Sequence, residues 1–319
     1  MLDSFLVAIN AVVPFFCYLT LGAAARAAKI VDEAFLQKLT KAVFALMFPF
    51  MSFYNVYSAG RGNLPGTRLV ALIVIGVLAL IGLLVVLVPR LVKENAKRGV
   101  IIQAVFRSNL VIFGIPLTVS VFGQERAAVT AMVVSIVVVI YNITAVIVLE
   151  MFNDRGEPGH KTTLGALLVK VVKNPLLQGC VLGLVFYALQ LRLPACLEKP
   201  VKALSDMTSP LAMIALGGTL HFKAIAQNRR YLVPALSARL ILIPLLMMLL
   251  GRAIGLRGVE LFLVLVVFGT PVASGSYPMA MSMGGDGELA GQFVFLSTAA
   301  SLVTLFIWIF CLNQMGLLV

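Results

Sequence analysis

Residues 69–89 read LVALIVIGVLALIGLLVVLVP, a stretch of 21 residues without one charged side chain. A helix that crosses a bilayer needs about 20 apolar residues, so this stretch predicts a transmembrane helix. The rest of the chain agrees, because 61% of its 319 residues are hydrophobic and only 12% are charged. A soluble domain carries about 25% charged residues, so this chain has too few charges to be one. Its composition also excludes a disordered chain, which would be mostly polar, and a small disulfide scaffold, which would be rich in cysteine. The sequence therefore predicts an integral membrane protein.

Similar apolar stretches recur along the chain and are separated by short, mostly basic connections. They predict an all-α polytopic membrane protein with ten transmembrane helices. The predicted spans are 4–25, 37–58, 69–89, 100–122, 127–149, 174–193, 204–221, 231–251, 259–283 and 290–313. Span seven is interrupted by polar residues, among which Asp206 is interpreted as a helix cap. Gly179 and Gly183 in span six form a GxxxG pattern, which predicts a helix-packing face.

The distribution of Lys and Arg predicts the orientation. Fifteen basic residues fall in one set of alternate loops and eight in the other. The positive-inside rule assigns the richer set to the cytoplasm, which places both termini on the outer side of the membrane. The net charge of +12 is thereby explained by membrane topology, and a nucleic-acid-binding surface is excluded. Two arginines remain, Arg107 and Arg239, and both lie inside predicted spans.

Prolines indicate an internal repeat. Three pairs are separated by 161 or 162 residues and fall in corresponding spans of the two halves: Pro14 and Pro175, Pro49 and Pro210, and Pro116 and Pro278. Because each half contains an odd number of spans, the second half would lie upside down relative to the first. The pattern predicts a first five-helix repeat at 1–150, a cytoplasmic connecting loop at 151–173 and a second, inverted repeat at 174–319.

Spans four and nine carry the features of a binding site. Residues 107–116 read RSNLVIFGIP, and residues 268–278 read FGTPVASGSYP. Proline removes a helical N–H and clashes with the preceding turn, so both helices are predicted to break at these prolines. Matched broken helices in two inverted halves indicate a transporter's binding site. The alternative is that Gly and Pro are simply commoner in membrane helices, which the matched positions make less attractive.

The stretch Asn109 to Leu117, with Gly114 and Pro116 in the pattern Gly-x-Pro-Leu, resembles the fourth-span signature of the auxin efflux carrier family. The stretch from Pro271 to Pro278 resembles the matching ninth-span crossover, so the chain looks like a bacterial relative of the plant PIN transporters. The resemblance implies a scaffold of spans one, two, six and seven. It also implies a transport unit of spans three to five and eight to ten, crossing at the prolines of spans four and nine. Organic anions as substrates, an elevator-like motion and a homodimer are implied as well.

Arg107 has no counterpart in the plant proteins, whose ligand is an aromatic monocarboxylate. Together with the chain length, it makes the sequence most similar to carriers of small dicarboxylates, with malonate as the first choice. Its guanidinium would clamp a carboxylate; the alternative is that it snorkels to the cytoplasmic boundary. Arg239 is interpreted as a member of a structural ion pair with Asp206 or Glu260, with substrate contact as the alternative.

The candidate substrate-binding residues lie mainly in the two interrupted spans. They are Arg107, Asn109, Gly114, Pro116, Thr270, Pro271, Ser274, Ser276 and Pro278, with Asn55, Asn142 and Arg239 as secondary candidates. No metal-ligand spacing and no cofactor motif is present in the sequence, and Na⁺ or H⁺ is expected only as a coupling ion. The sequence also lacks HExxH and GxSxG motifs, which disfavours a membrane enzyme.

The function predicted from the sequence is secondary active transport of a small organic anion, a dicarboxylate such as malonate, by alternating access. Coupling to H⁺ or Na⁺ is expected for inward transport, because a negative interior opposes anion entry. The alternatives are an anion channel, or a membrane-embedded sensor or enzyme without gradient-driven transport. The expected partners are the substrate, the lipid bilayer and a second copy of the chain.

Overall fold

The computed structural model describes residues 2–59, 65–153 and 164–318, and within these ranges the chain is helical without a β-strand. In chain order, the helices are α1 (Leu2–Ala27), α2 (Glu33–Ala42), α3 (Phe48–Tyr57), α4 (Thr67–Leu91), α5 (Asn95–Phe106), α6 (Leu110–Phe122), α7 (Ala127–Met151), α8 (Leu164–Val172), α9 (Pro175–Ala188), α10 (Ala195–Thr219), α11 (Phe222–Gln227), α12 (Arg229–Ser237), α13 (Ile243–Ala253), α14 (Gly258–Gly269), α15 (Ser276–Ser282) and α16 (Gly287–Gln314). Part of the predicted loop 151–173 is helix α8, and residues 154–163 of that loop lie outside the described residues.

Among the described residues, five helical stretches are long and apolar enough to cross a membrane: Glu33–Tyr57, Thr67–Leu91, Gln124–Met151, Arg229–Ala253 and Gly287–Gln314. Shorter apolar helices accompany them at Val12–Ala27, Leu110–Phe122, Pro175–Ala188 and Gly258–Gly269. Each of the predicted spans falls on one helix or on consecutive helices. The structure is thus that of a multi-pass, all-helical membrane protein.

Span seven differs from its prediction. Helix α10 begins at Ala195, nine residues before the predicted start, and passes without a break through the polar residues around Asp206. Asp206 is therefore a mid-helix residue and not a cap; its carboxylate pairs with Lys202, one turn earlier, at 2.5 Å.

A π-helical turn joins α2 to α3, and another joins α12 to α13, each shortly before a proline. Val43–Met47 precedes Pro49, and Ala238–Leu242 precedes Pro244. Because proline has no N–H, the carbonyl four residues earlier loses its helical hydrogen-bond donor. The backbone hydrogen bonds of the helix then change around that carbonyl. For Pro244 that carbonyl belongs to Leu240, and the indole N–H of Trp308 donates to it at 2.9 Å. The second π-turn also carries Arg239 into the protein interior.

Glycines allow four helices to pack backbone to backbone. A β-carbon on Gly22 would overlap Ile214 O, which lies across the contact between α1 and α10. A β-carbon on Gly183 would lie 2.7 Å from Phe53 O, across the contact between α3 and α9. Gly179 approaches α3 in the same way, so the predicted packing face on the GxxxG pattern is confirmed. Helices α10 and α3 also contact each other, which joins the two pairs into one unit.

Gly217→Ala is expected to lower the melting temperature by about 2–12 °C. The new methyl group would overlap Leu19 O, so α1 and α10 must separate; such overpacking costs about 1–3 kcal/mol, or about 2–4 °C per kcal/mol. Gly82→Ala is the matched control, because nothing lies within 4 Å of a β-carbon there. Melting curves in detergent test the pair, and equal melting temperatures would contradict the close contact.

Candidate functional site

The site is built where two interrupted helices cross. Helix α5 ends at Phe106 and α6 begins at Leu110, whereas α14 ends at Gly269 and α15 begins at Ser276. The extended segments between them pair antiparallel at Ser108 and Val272. Two backbone hydrogen bonds hold this bridge. Asn109 N–H donates to Pro271 O at 2.8 Å, and Ala273 N–H donates to Arg107 O at 3.2 Å.

The sequence predicted breaks at the prolines of both spans, but the two matched prolines, Pro116 and Pro278, do not lie in the breaks. Pro116 lies in the interior of α6, and Pro278 lies inside α15. A proline inside a helix removes only one hydrogen bond, whereas a break frees several backbone groups that all need partners at membrane depth. Such partners exist where the two extended segments meet, so the chain leaves the helix there. Pro271 is the proline that lies within a break.

Arg239 holds the two helix ends together from inside the protein. Its side chain is fully buried, and its guanidinium donates to Val105 O and Phe106 O, both at 3.0 Å, and to Thr270 O at 2.8 and 3.1 Å. These are carbonyls at the C-terminal ends of α5 and α14, which carry partial negative charge and lack helical donors. Among the described residues, no carboxylate lies within 4 Å of this guanidinium, so the predicted ion pair is wrong.

Arg107 is buried at the same crossing with a different set of neighbours. Its exposed fraction is 5%, its Nη2 donates to Asn142 Oδ1 at 3.0 Å, and its Nη1 contacts the sulfur of Met279. A thioether is a weak acceptor, and a guanidinium has five N–H donors. In the part of the chain that the structure describes, no carboxylate pairs with it. Arg107 is therefore a buried cation with incomplete hydrogen bonding.

A cavity of about 660 Å³ opens beside Arg107. Helices α1, α3, α6, α7 and α10 and the crossing segments form its wall. The residues with polar side chains that line it are Asn10, Tyr18, Asn55, Arg107, Ser108, Asn109, Ser120, Tyr141, Asn142, Ser205, Asp206, Ser209 and Ser274, and the remaining wall is apolar.

Half of the predicted site residues line this cavity, namely Arg107, Asn109, Pro116, Ser274, Asn55 and Asn142. The others are buried outside it. Gly114 packs against α7, where a β-carbon on this glycine would lie 3.1 Å from Val134 Cγ2. Thr270 and Pro271 offer their carbonyls to Arg239 and Asn109. Ser276 and Pro278 lie within α15, and Arg239 performs the bridging described above.

Several lining residues had not been predicted. Ser209 on α10 is one of them, and its hydroxyl shares a hydrogen bond of 3.2 Å with that of the predicted Ser274 in the crossing segment. Gly275 leaves room for the ring of Phe48, since a β-carbon there would lie 2.8 Å from Phe48 Cε1. Asn10 also lines the cavity. It is an amide side chain in the mostly apolar span 4–25, and this position could have marked it as a candidate site residue.

The electrostatics of the cavity favour an anion. Arg107 is the only cation among the described lining residues, and the only lining carboxylate, that of Asp206, is paired with Lys202. Residues 110–112, the first turn of α6, also line the cavity. The first N–H groups of a helix lack intrahelical partners and carry partial positive charge. The side-chain nitrogen of Asn109, the residue before this turn, has no hydrogen-bond partner among the described residues.

A second, smaller cavity of about 220 Å³ shares no lining residue with the first. It is lined by the start of α2, the end of α10, helix α15 and the start of α16. The hydroxyls of Thr219 and Tyr277 meet at 2.8 Å on its wall. Within the described ranges, no group of three His, Cys, Asp or Glu residues is arranged to hold a metal ion.

Comparisons with known proteins agree with a transport function. A family model described as membrane transport protein matches residues 7–309. The chain is also similar to an uncharacterized transporter from Methanothermobacter thermautotrophicus, at 24% identity over 293 residues. This similarity covers 88% of the chain and 90% of the relative.

Proposed function

The chain belongs to the membrane transport protein family, and from that premise we propose that it is a secondary active transporter of a small organic anion. Membership confirms the auxin-efflux-carrier type of family that the sequence resembled. It also identifies the chain as a membrane transporter and not an enzyme. The substrate, the coupling ion and the mechanism given below are our proposals.

The observation that carries the choice of an anion is Arg107. A buried guanidinium without a carboxylate partner is costly, and a bound anion would supply its missing acceptors. The first turn of α6 and Asn109, whose side-chain nitrogen is buried without a hydrogen-bond partner among the described residues, also line this cavity, so it offers three kinds of donor to an anion. A carboxylate is the group best matched to a planar guanidinium fork.

We propose a dicarboxylate such as malonate as the substrate, with one carboxylate on Arg107 and the other near the first turn of α6. A specific observation favours a second candidate, a monocarboxylate with an apolar body. The cavity presents one cation, and its walls include the apolar side chains of Phe15, Met51 and Met213. A dianion would leave one charge beside these walls, which costs desolvation energy. Competition between malonate and benzoate discriminates the two candidates.

Contacts in the structure support two inverted five-helix repeats. Positions 161 residues apart correspond in the two halves, so Gly22 corresponds to Gly183 and Phe53 corresponds to Ile214. The contact of Gly22 with Ile214 and that of Gly183 with Phe53 are therefore equivalent. Corresponding residues also meet directly, because Asn109 donates to Pro271, 162 positions later. We propose that both termini lie outside a bacterial inner membrane and that the carrier is a homodimer.

Two cavities with separate linings, both of which include residues next to the break between α14 and α15, support alternating access. The larger one reaches Arg107, whereas the smaller one is separated from it by packed residues such as Tyr277. In our proposal, α1, α3, α9 and α10 form a scaffold and the crossed helices move against it in an elevator-like step. Coupling to H⁺ or Na⁺ would offset the membrane potential, which opposes anion entry by about 2.3 kcal/mol per charge per 100 mV.

Uptake of labelled malonate into proteoliposomes tests this function, with pH and Na⁺ gradients imposed separately. We expect saturable uptake that one of the two gradients accelerates, and faster exchange when unlabelled malonate is present inside. Empty liposomes provide the control. Current without saturation would indicate a channel, and binding without flux would indicate a sensor. Absence of transport for both malonate and benzoate would contradict the proposal.

A further inference from the structure

A chain of hydrogen bonds leads from the cavity to helix α3. Arg107 Nη2 donates to Asn142 Oδ1 at 3.0 Å, and Asn142 Nδ2 donates to Ser52 Oγ at 3.0 Å. Ser52 is fully buried on α3. The chain therefore connects the buried cation with a helix of the glycine-packed unit.

This connection crosses the boundary that would have to slide during transport. Asn142 lies on α7, which packs against the crossed helices α5, α6 and α14, whereas Ser52 lies on the opposite side of that boundary. Ser52 does not line the cavity, so it cannot touch a bound anion itself. Any influence it has on the anion must pass through Asn142.

An anion and Asn142 would compete for the same donor. A carboxylate is a stronger acceptor than an amide oxygen, because hydrogen bonds to an ionised acceptor are about twice as strong as neutral ones. Hydrogen bonds in a chain also strengthen one another. When Arg107 Nη2 donates to the anion and no longer to Asn142 Oδ1, the hydrogen bond from Asn142 to Ser52 therefore becomes weaker.

We propose that Ser52 is a positioning residue that, through Asn142, holds Arg107 against α3 while the cavity is empty. Anion binding releases this hold, so the loaded carrier changes conformation more readily than the empty one. The inference rests on the proposed function, because it concerns the coupling between anion binding and movement.

The test compares two rates in proteoliposomes for wild type and Ser52→Ala. One rate is exchange of labelled malonate against internal malonate, in which only the loaded carrier moves. The other is net efflux into malonate-free buffer, in which the empty carrier must return. Loss of one neutral hydrogen bond corresponds to about a 2- to 10-fold effect. We therefore expect the ratio of net efflux to exchange to rise about 2- to 10-fold.

Ser52→Thr keeps the hydroxyl and is expected to restore the wild-type ratio. Ser135→Ala is the matched control, because that hydroxyl donates only to Ala131 O within α7, at 2.8 Å. If Ser52→Ala yields no folded protein, Ser52→Cys under reducing conditions replaces it, with the same direction expected. A ratio equal to wild type in a folded variant would overturn the inference while exchange still supports the proposed function. Absence of exchange in wild type would overturn both.

Discussion

Replacing Arg107 by glutamine is expected to weaken anion binding by about 10- to 100-fold, since a hydrogen bond to a charged group contributes about 1.5–3 kcal/mol. Arg107 is the only cation among the described residues that line the cavity, and its guanidinium has one good acceptor, Asn142 Oδ1. Glutamine retains part of the side-chain volume and can still meet Asn142, but it carries no charge.

The same variant is expected to keep its fold. Removing a buried charge without a carboxylate partner relieves a desolvation cost, so the melting temperature of Arg107→Gln should equal or exceed that of wild type. Equilibrium binding of labelled malonate in detergent measures the loss, and a melting curve on the same preparation reports the fold. Arg252→Gln, at an exposed arginine of α13, is the matched control.

Arg107→Lys discriminates charge from geometry. Lysine keeps the charge but lacks the bidentate fork, so affinity should fall between that of wild type and that of the glutamine variant. Wild-type affinity in Arg107→Gln would show that the arginine does not contact the anion. A parallel loss of melting temperature would instead show that its role is structural.

The helices were predictable because burial in a bilayer leaves a strong local signal. Stretches such as residues 69–89 are apolar throughout, and their length alone is diagnostic of a spanning helix. The start of α10 was missed because Lys199, Lys202 and Asp206 lower the hydropathy of its first half. In the structure these residues do not interrupt the helix, because Lys202 and Asp206 are one turn apart and pair on its surface.

The crossing was predicted in the correct spans, and Pro271 lies in the break of span nine, but the matched prolines Pro116 and Pro278 do not mark the breaks. Proline marks where a helix is weak, and Pro116 and Pro278 are weak points that the helices tolerate. The actual breaks depend on where backbone groups find partners, and those partners come from a segment more than 160 residues away, as with Asn109 and Pro271. Such pairing leaves no local trace in the sequence.

The contribution of Ser52 was not predictable for a related reason. A single serine in an apolar span is common and packs helices together in most cases. Its importance depends on Asn142, 90 positions later, and on the bond from Asn142 to Arg107. The polar residues of the cavity could be listed from the sequence in part, but the hydrogen bonds that connect them could not.

Arg239→Met is expected to be the most destabilising substitution discussed, with a loss of about 3 kcal/mol or more. Methionine fills the aliphatic space but leaves the carbonyls of Val105, Phe106 and Thr270 without their donor. Each buried acceptor without a partner costs about 1–3 kcal/mol. At about 2–4 °C per kcal/mol, the melting temperature should fall by about 6–12 °C or more. Fluorescence-detected size exclusion and melting curves in detergent measure the effect, with Arg252→Met as the control.

The outcome decides what distinguishes the two intramembrane arginines. They are alike in sequence, since each is a lone cation in an apolar span, yet the acceptors of Arg239 are all supplied by the protein and those of Arg107 are not. Arg239→Met should therefore lose stability, and Arg239→Lys should recover part of it by donating to fewer carbonyls. Arg107→Gln should lose only the anion. If Arg239→Met has the same melting temperature as Arg252→Met, the two helix ends stay together without the guanidinium of Arg239. The crossing would then depend on its remaining contacts, among them the backbone bridge between Ser108 and Val272.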